Sequence, residues 1–289
     1  MATRPDLRVL TRRGLFAATG GVAGAALLAA CGGGDTPVTP GPASGYTEKK
    51  IPYASDNINQ YGYFATPSGT PKRLVVLVHG GYWADQYRQD LMTPLAADLV
   101  GAGYATWNIE YRRVGSGGDY PATFTDVALA IDHTAQLPGM KDLPVTVVGH
   151  SAGGQLAVWA ASRTSRTPGG APQVIADLTV SLSGVLDLTT GAEDGLGGGA
   201  VASLMGGGPT DKKAEYALAD PMLLLPARNR VVAVHAKDDG VVPISQSESY
   251  VTADQAAGGT AELVVVPGDH FDLIDPRSKA WATVRGNLS

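Results

Sequence analysis

The chain has 289 residues, 44% of them hydrophobic, with a formal net charge of −5 and a single cysteine, Cys31. The acidic balance, with no basic run after Arg13, argues against a nucleic-acid partner, and one cysteine rules out an intramolecular disulfide. The five histidines (His79, His133, His150, His235 and His270) are scattered without metal-ligand spacing, so no metal and no cofactor are expected.

Residues 1–31 read as an export signal. Arg4, Arg8, Arg12 and Arg13 make a positive start, Gly14–Ala30 is uncharged and mostly small or apolar, and small residues precede Cys31. Thr11-Arg12-Arg13-Gly14-Leu15-Phe16 resembles a twin-arginine motif with Leu15 and Phe16 in swapped order. Leu28-Ala29-Ala30-Cys31 resembles a lipobox, which implies a lipid on Cys31 and a mature chain beginning there. The expected place is therefore outside the cytoplasm, as a periplasmic or cell-surface lipoprotein held at a membrane surface by its N-terminus. Simple secretion and an uncleaved anchor are the alternatives. Residues 32–45 (GGGDTPVTPGPAS and Gly45) have no periodicity and read as a flexible linker.

Residues 46–289 remain for the fold, enough for one large α/β domain or two small ones. Tyr46–Ala65 suggests one or two edge strands around a turn at Asp56-Asn57. Leu74–Val78 is a continuous apolar run rich in β-branched residues, the mark of a strand buried on both faces. Leu91–Ala102 reads as a helix stopped at Gly103, Tyr104–Tyr111 as a strand, and Tyr120–Leu137 as a helix with Phe124, Val127, Ile131 and Ala135 at helical spacing. A strand from Val145 runs into Gly149-His150-Ser151-Ala152-Gly153 and a helix over Ala152–Arg163. Further strands lie within Val174–Leu186, at Arg230–Val234 and at Leu263–Val266. Residues 189–227, Gly-rich with a helical patch at Lys212–Ala219, are expected to form a small cap that walls the pocket. Strands alternating with helices predict a mostly parallel central sheet with helices on both faces.

Candidate chemistry clusters just past the strands' C-terminal ends, where such sheets bind ligands. The G-x-S-x-G pattern between a strand and a helix makes Ser151 a candidate nucleophile on a strained turn. A serine hydroxyl needs a base. Of the downstream histidines, His235 falls inside or at the end of a strand, whereas His270 lies in a polar loop after the last strand and is the better base. The carboxylate that orients it is sought among Asp238, Asp239 and Asp187. Backbone N–H donors for an oxyanion are expected from Ala152, opening the helix, and from Gly80 or Gly81 in His79-Gly80-Gly81-Tyr82-Trp83.

Lys237-Asp238-Asp239-Gly240-Val241-Val242-Pro243 with His235 resembles the H-G-x-x-D-x-x-V-P pattern of many α/β-hydrolases, and aligned on it the orienting carboxylate is Asp239. Taken together these motifs resemble the α/β-hydrolase superfamily from about Tyr53 to the C-terminus. His79–Trp83, Asn108–Arg112, Gly149–Gly154 and His270–Pro276 look like the kynurenine formamidase-like and bacterial feruloyl-esterase-like members. The resemblance implies the α/β-hydrolase fold and a serine hydrolase of carboxylic esters with Ser151, His270 and Asp239 as triad. An arylformamidase-type amide hydrolase is the alternative, and a non-catalytic binding lipoprotein the remote one. The expected partner is a small-molecule ester or amide. Tyr82 and Trp83 are candidates for the substrate pocket, with a core role for Trp83 equally open; Glu110 and Arg112 read as structural partners.

Overall fold

The computed structural model describes residues 46–288. The export signal, the twin-arginine-like and lipobox-like stretches, Cys31 and the 32–45 linker lie outside the described residues. Within them, eight strands form one sheet: β1 (Glu48–Pro52), β2 (Tyr61–Ala65), β3 (Leu74–Val78), β4 (Ala105–Ile109), β5 (Val145–His150), β6 (Leu178–Leu182), β7 (Arg230–Ala236) and β8 (Glu262–Val266), in the order β1-β2-β4-β3-β5-β6-β7-β8. Pairings β1–β2 and β2–β4 are antiparallel, and all others are parallel. This is the α/β-hydrolase fold expected from the sequence.

The unbroken apolar runs follow from helices covering both faces. In β3, Leu74, Val76 and Val78 enter one core cluster while Val75 and Leu77 enter another. Side chains of a strand alternate between faces, so a strand covered twice has no polar side. One face carries α1 (Thr93–Gly101) and α8 (Lys279–Gly286), which deliver Leu95, Leu99, Trp281 and Val284. The opposite face carries α2 (Ala122–Asp132), α3 (Ala152–Ala161) and α7 (Ser245–Ala256), with Phe124, Leu156, Trp159 and Tyr250 buried there. Each such side chain contributes about 1.5–3 kcal/mol of burial.

Several boundaries are tighter than the sequence suggests. The helix expected over Tyr120–Leu137 is α2 followed by a 3-10 turn at His133–Gln136. The strand expected within Val174–Leu186 is β6; before it the Val174 N–H is taken by Asp132, and after it Ser183 turns the chain with φ 45°. Helix α7 gave no sequence signal. Its buried face carries Gln246, Ser247 and Asp254 beside Tyr250 and Val251, so it docks largely by polar contacts and shows no apolar stripe.

Residues 188–223 fold into α4 (Leu188–Glu193), α5 (Leu196–Met205), α6 (Lys213–Ala219) and a 3-10 turn at Pro221–Leu223. Leu188, Val201, Leu204, Met205, Tyr216 and Ala219 join the main core, and the backbone of α6 is tied to α3 through Trp159 Nε1–Leu218 O at 2.9 Å and Gln155 Nε2–Ala219 O at 3.1 Å. Among the described residues, no helix is long and apolar enough to cross a membrane.

Candidate active site

Ser151 stands between β5 and α3 with φ 55° and ψ −119°, a left-handed conformation that a non-glycine residue adopts at a cost. The surroundings hold it there. Its N–H donates to Leu182 O at 2.8 Å, which ties the turn to the neighbouring strand. A Cβ on Gly149 would overlap the Gly153 carbonyl, and one on Gly153 would overlap the Val78 carbonyl. The G-x-S-x-G glycines are therefore required by close backbone packing. Ala152 opens α3, so its N–H has no intrahelical acceptor, and the positive end of the helix dipole lies there.

His270 follows β8, and its Nδ1–H donates to Asp239 Oδ2 at 2.7 Å. Asp239 is fixed in turn: its Oδ1 accepts from Val241 N–H at 2.8 Å and Val242 N–H at 2.9 Å. Burial by itself raises the Asp239 carboxyl. The bonds from His270, the Val242 N–H and the Ser183 hydroxyl outweigh it and hold the group well below the usual carboxylate range. The other two aspartates are elsewhere engaged. Asp187 caps α4, accepting from Thr190 N–H at 2.8 Å, and Asp238 meets the His270 loop only through its own N–H, which donates to Gly268 O. Ser183 was not singled out from the sequence. Its signal is a serine followed by Gly184 directly after a buried strand, held at positive φ like Ser151.

The His79–Trp83 loop approaches Ser151 through Gly80, where a Cβ would lie 3.0 Å from the Ser151 Cβ and 2.8 Å from His150 O. Gly81, at φ 107°, abuts Tyr87 so closely that a side chain there would overlap it. Beneath the loop lies a buried polar cluster. Glu110 pairs with Arg113, accepts from Tyr111 N–H at 3.0 Å, and meets His79 Nε2 at 3.2 Å. Burial and the Arg113 charge push the His79 pKa down to about 3, yet both its nitrogens face oxygens. A ring with one proton can satisfy only one of these acceptors, and the 2.8 Å contact to Gly80 O is a hydrogen bond only when Nδ1 carries it. Arg112 holds Asp126 bidentately at 2.7 and 2.8 Å, a structural role.

These loops enclose a cleft of about 80 Å³ lined by Gly81, Tyr82, Tyr87, Leu91, His150, Ser151, Val241, His270, Phe271 and Ile274. The structure thus brings Ser151, His270, Gly81 and Tyr82 together, with Asp239 behind His270. Ser151 Oγ and His270 share the cleft without a closed hydrogen bond, a looseness common before substrate binds. Of the two readings left open for Trp83 the structure supports the core one, and the expected cap over the pocket is corrected. Trp83 is 1% exposed and belongs to the core, because its ring sits in the apolar layer with Val78, Tyr111 and Phe124. Residues 189–227 do not line the cleft; they reach it only through Tyr82, against whose ring Gly197 packs. The walls come instead from Tyr87 and Leu91 before α1 and from Phe271 and Ile274 after β8. Among the described residues, no three His, Cys, Asp or Glu side chains are grouped to hold a metal ion.

Residues 63–253 match the BD-FAE family. No curated protein sequence matches the chain. Among solved structures, it is similar to a truncated carbohydrate esterase from gut microbiota, with 20% identity over 85% of this chain and 97% of that chain and a TM-score of 0.73. It is also similar to Esterase B from Lactobacillus rhamnosis in a tributyrin phosphonate structure (17% identity, 84% of each chain, TM-score 0.71). A thermophilic esterase from Thermogutta terrifontis with propionate bound is a further likeness (19% identity, 83% of this chain and 91% of that chain, TM-score 0.64). At these identities the likeness is one of fold.

Proposed function

The chain belongs to the BD-FAE family of α/β-hydrolase esterases, and on that premise we propose that it cleaves carboxylic esters through a serine acyl-enzyme. The observation that carries this reading is the 2.7 Å His270–Asp239 bond behind a cleft in which Ser151 stands on a strained turn. Asp239 holds the proton on His270 Nδ1 and leaves Nε2 free as base. His270 takes the Ser151 proton as Oγ attacks the ester carbonyl. The N–H of Ala152 and a glycine N–H of the Gly80-Gly81 turn receive the developing oxyanion. The alcohol departs with the proton from His270. Water then attacks the acyl-enzyme by the same route and releases the acid. Apart from His150, Ser151 and His270, the lining offers no charged or titratable side chain except the tyrosines 82 and 87, which favours an uncharged substrate.

The test compares kcat/KM on p-nitrophenyl acetate with that on N-formylkynurenine. A higher value on the ester, lost in Ser151→Ala, is expected. A strong preference for the formamide would move the protein to the arylformamidase reading. A wild type that neither hydrolyses any ester nor reacts with a fluorophosphonate would leave only a binding role on a hydrolase scaffold.

The leader motifs support a second part of the proposal: the enzyme works outside the cytoplasm, tethered through a lipid on Cys31. In this reading Cys31→Ser releases the protein from membranes, and unchanged membrane association would refute the lipid anchor.

A further inference from the structure

Three of the five histidines are buried at strand ends and take no part in the proton transfers above. His79 follows the last residue of β3, His150 ends β5, and His235 lies at the end of β7. Each has a ring nitrogen within hydrogen-bond distance of a main-chain carbonyl, a contact that only a ring N–H can make; His79 also places Nε2 3.2 Å from Glu110 Oε1. His79 Nδ1 meets Gly80 O at 2.8 Å, His150 Nε2 meets His270 O at 3.0 Å, and His235 Nε2 meets Val242 O at 3.0 Å. Those three carbonyls belong to the three loops of the proposed site: the oxyanion turn, the base loop and the acid loop.

We propose that His79, His150 and His235 are positioning residues, each pinning one of these loops through a carbonyl so that donor, base and acid keep their places when substrate enters. The inference rests on the esterase reading above. Its physical logic differs at each site. At the oxyanion turn, the peptide joining Gly80 to Gly81 is planar, so fixing the Gly80 carbonyl fixes the direction of the Gly81 N–H on its other side. At the base loop, the residue preceding the nucleophile grips the main chain of the base, 120 positions away. The His150 and His270 rings lie 4.5 Å apart, so a shift of either is felt by the other. With Nε2 donating, His150 Nδ1 keeps a lone pair and no partner; one bond is all this buried ring makes. At the acid loop, the Ser247 hydroxyl donates to His235 Nδ1 at 2.8 Å, which sets the tautomer that leaves Nε2–H for Val242 O. Val242 also donates its own N–H to Asp239, so His235 steadies the residue that holds the acid. Loops depend on such contacts because they lack the repeated bonds of helices and strands, and a displacement of about 1 Å at reacting groups can cost ~100-fold in rate.

The two ring nitrogens give the test its discrimination. An asparagine amide nitrogen sits where Nδ1 was, and a glutamine amide nitrogen where Nε2 was. Phe, Asn and Gln are introduced singly at 79, 150 and 235 in the full chain, with melting temperature, kcat, KM and pH–rate profile measured on p-nitrophenyl acetate. Expected are a fall in kcat of about ten-fold or more in each Phe variant, KM within about twofold, and an unshifted pH profile. Recovery is expected with Asn at 79 and with Gln at 150 and 235, and not with the opposite amide. If a Phe variant does not fold, the Asn–Gln pair at that site, alike in size and polarity, decides. Equal rates for the two amides, or Phe variants as fast as the wild type, would overturn the proposal. A wild type inactive on every ester would instead sink the esterase reading, so the two failures are distinct.

Discussion

The nucleophile and its two partners are held by opposite means. Ser151 is fixed by backbone: an N–H bond to β6, glycines so close to neighbouring carbonyls that no side chain fits, and a helix beginning at the next residue. His270 and Asp239 stand in loops and are fixed by hydrogen bonds, to each other, to Val241 and Val242, and from His150 to the His270 carbonyl. Backbone packing makes a stiff mount that tolerates no substitution at its glycines. Hydrogen-bonded loops hold the base and the acid only as long as each of their side-chain and carbonyl contacts is kept.

Breaking each half should give different signatures. Ser151→Ala removes the nucleophile without touching the mount, so kcat should fall by ~10^5-fold or more with an unchanged melting temperature; burst kinetics and thermal melts check both. Asp239→Asn should leave the fold intact and cost ~10^4-fold in kcat, since an amide favours the wrong His270 tautomer; a variant with near wild-type kcat would dismiss Asp239 as orienter. Gly149→Ala attacks the mount itself. Its Cβ meets a carbonyl that cannot move away, so a loss of about 3 kcal/mol in urea unfolding is expected.

The next expectation concerns pH. Burial pushes His79 and His150 down to about 3, from an ordinary value of 6.5. Between those values the unfolded histidines take up protons that the folded ones refuse. The unfolded state then binds more protons, so stability rises with pH and is lost as pH falls from 6.5 toward 3, by at most about 1.4 kcal/mol per unit for each group. Melting temperature against pH should therefore slope less steeply in His150→Gln than in the wild type, and identical slopes would show that His150 carries no such linkage. The smallest effect is expected at the cleft wall. Phe271 is 61% exposed at the mouth, so Phe271→Ala should raise KM on an aryl ester a few-fold, worth ~1 kcal/mol or less, with kcat nearly constant.

The parts of the site legible in the sequence were those made by local chain geometry. A G-x-S-x-G between a buried strand and a helix, or a His-Gly-Gly after a buried strand, carries its conformation in its own residues. Asp239 needed more: it stood beside Asp238, and a motif resemblance was required to choose between them. The cleft walls were not legible, because Leu91 and Phe271 are ordinary apolar residues until the fold brings them to one cleft. Trp83 shows the converse, a residue beside the oxyanion glycines whose ring turns into the core. Helix α7 went unseen because it docks through Gln246, Ser247 and Asp254, and polar faces leave no periodic apolar signal.

By itself, then, the sequence determined the strand–helix alternation, the twice-covered sheet and the elbow, since these follow from side-chain periodicity and from glycines at positions of close approach. Only the tertiary structure decided which residues wall the cleft and that three buried histidines reach carbonyls in three different loops. Those contacts join residues up to 120 positions apart, and no local pattern records a distance that only the packed sheet creates.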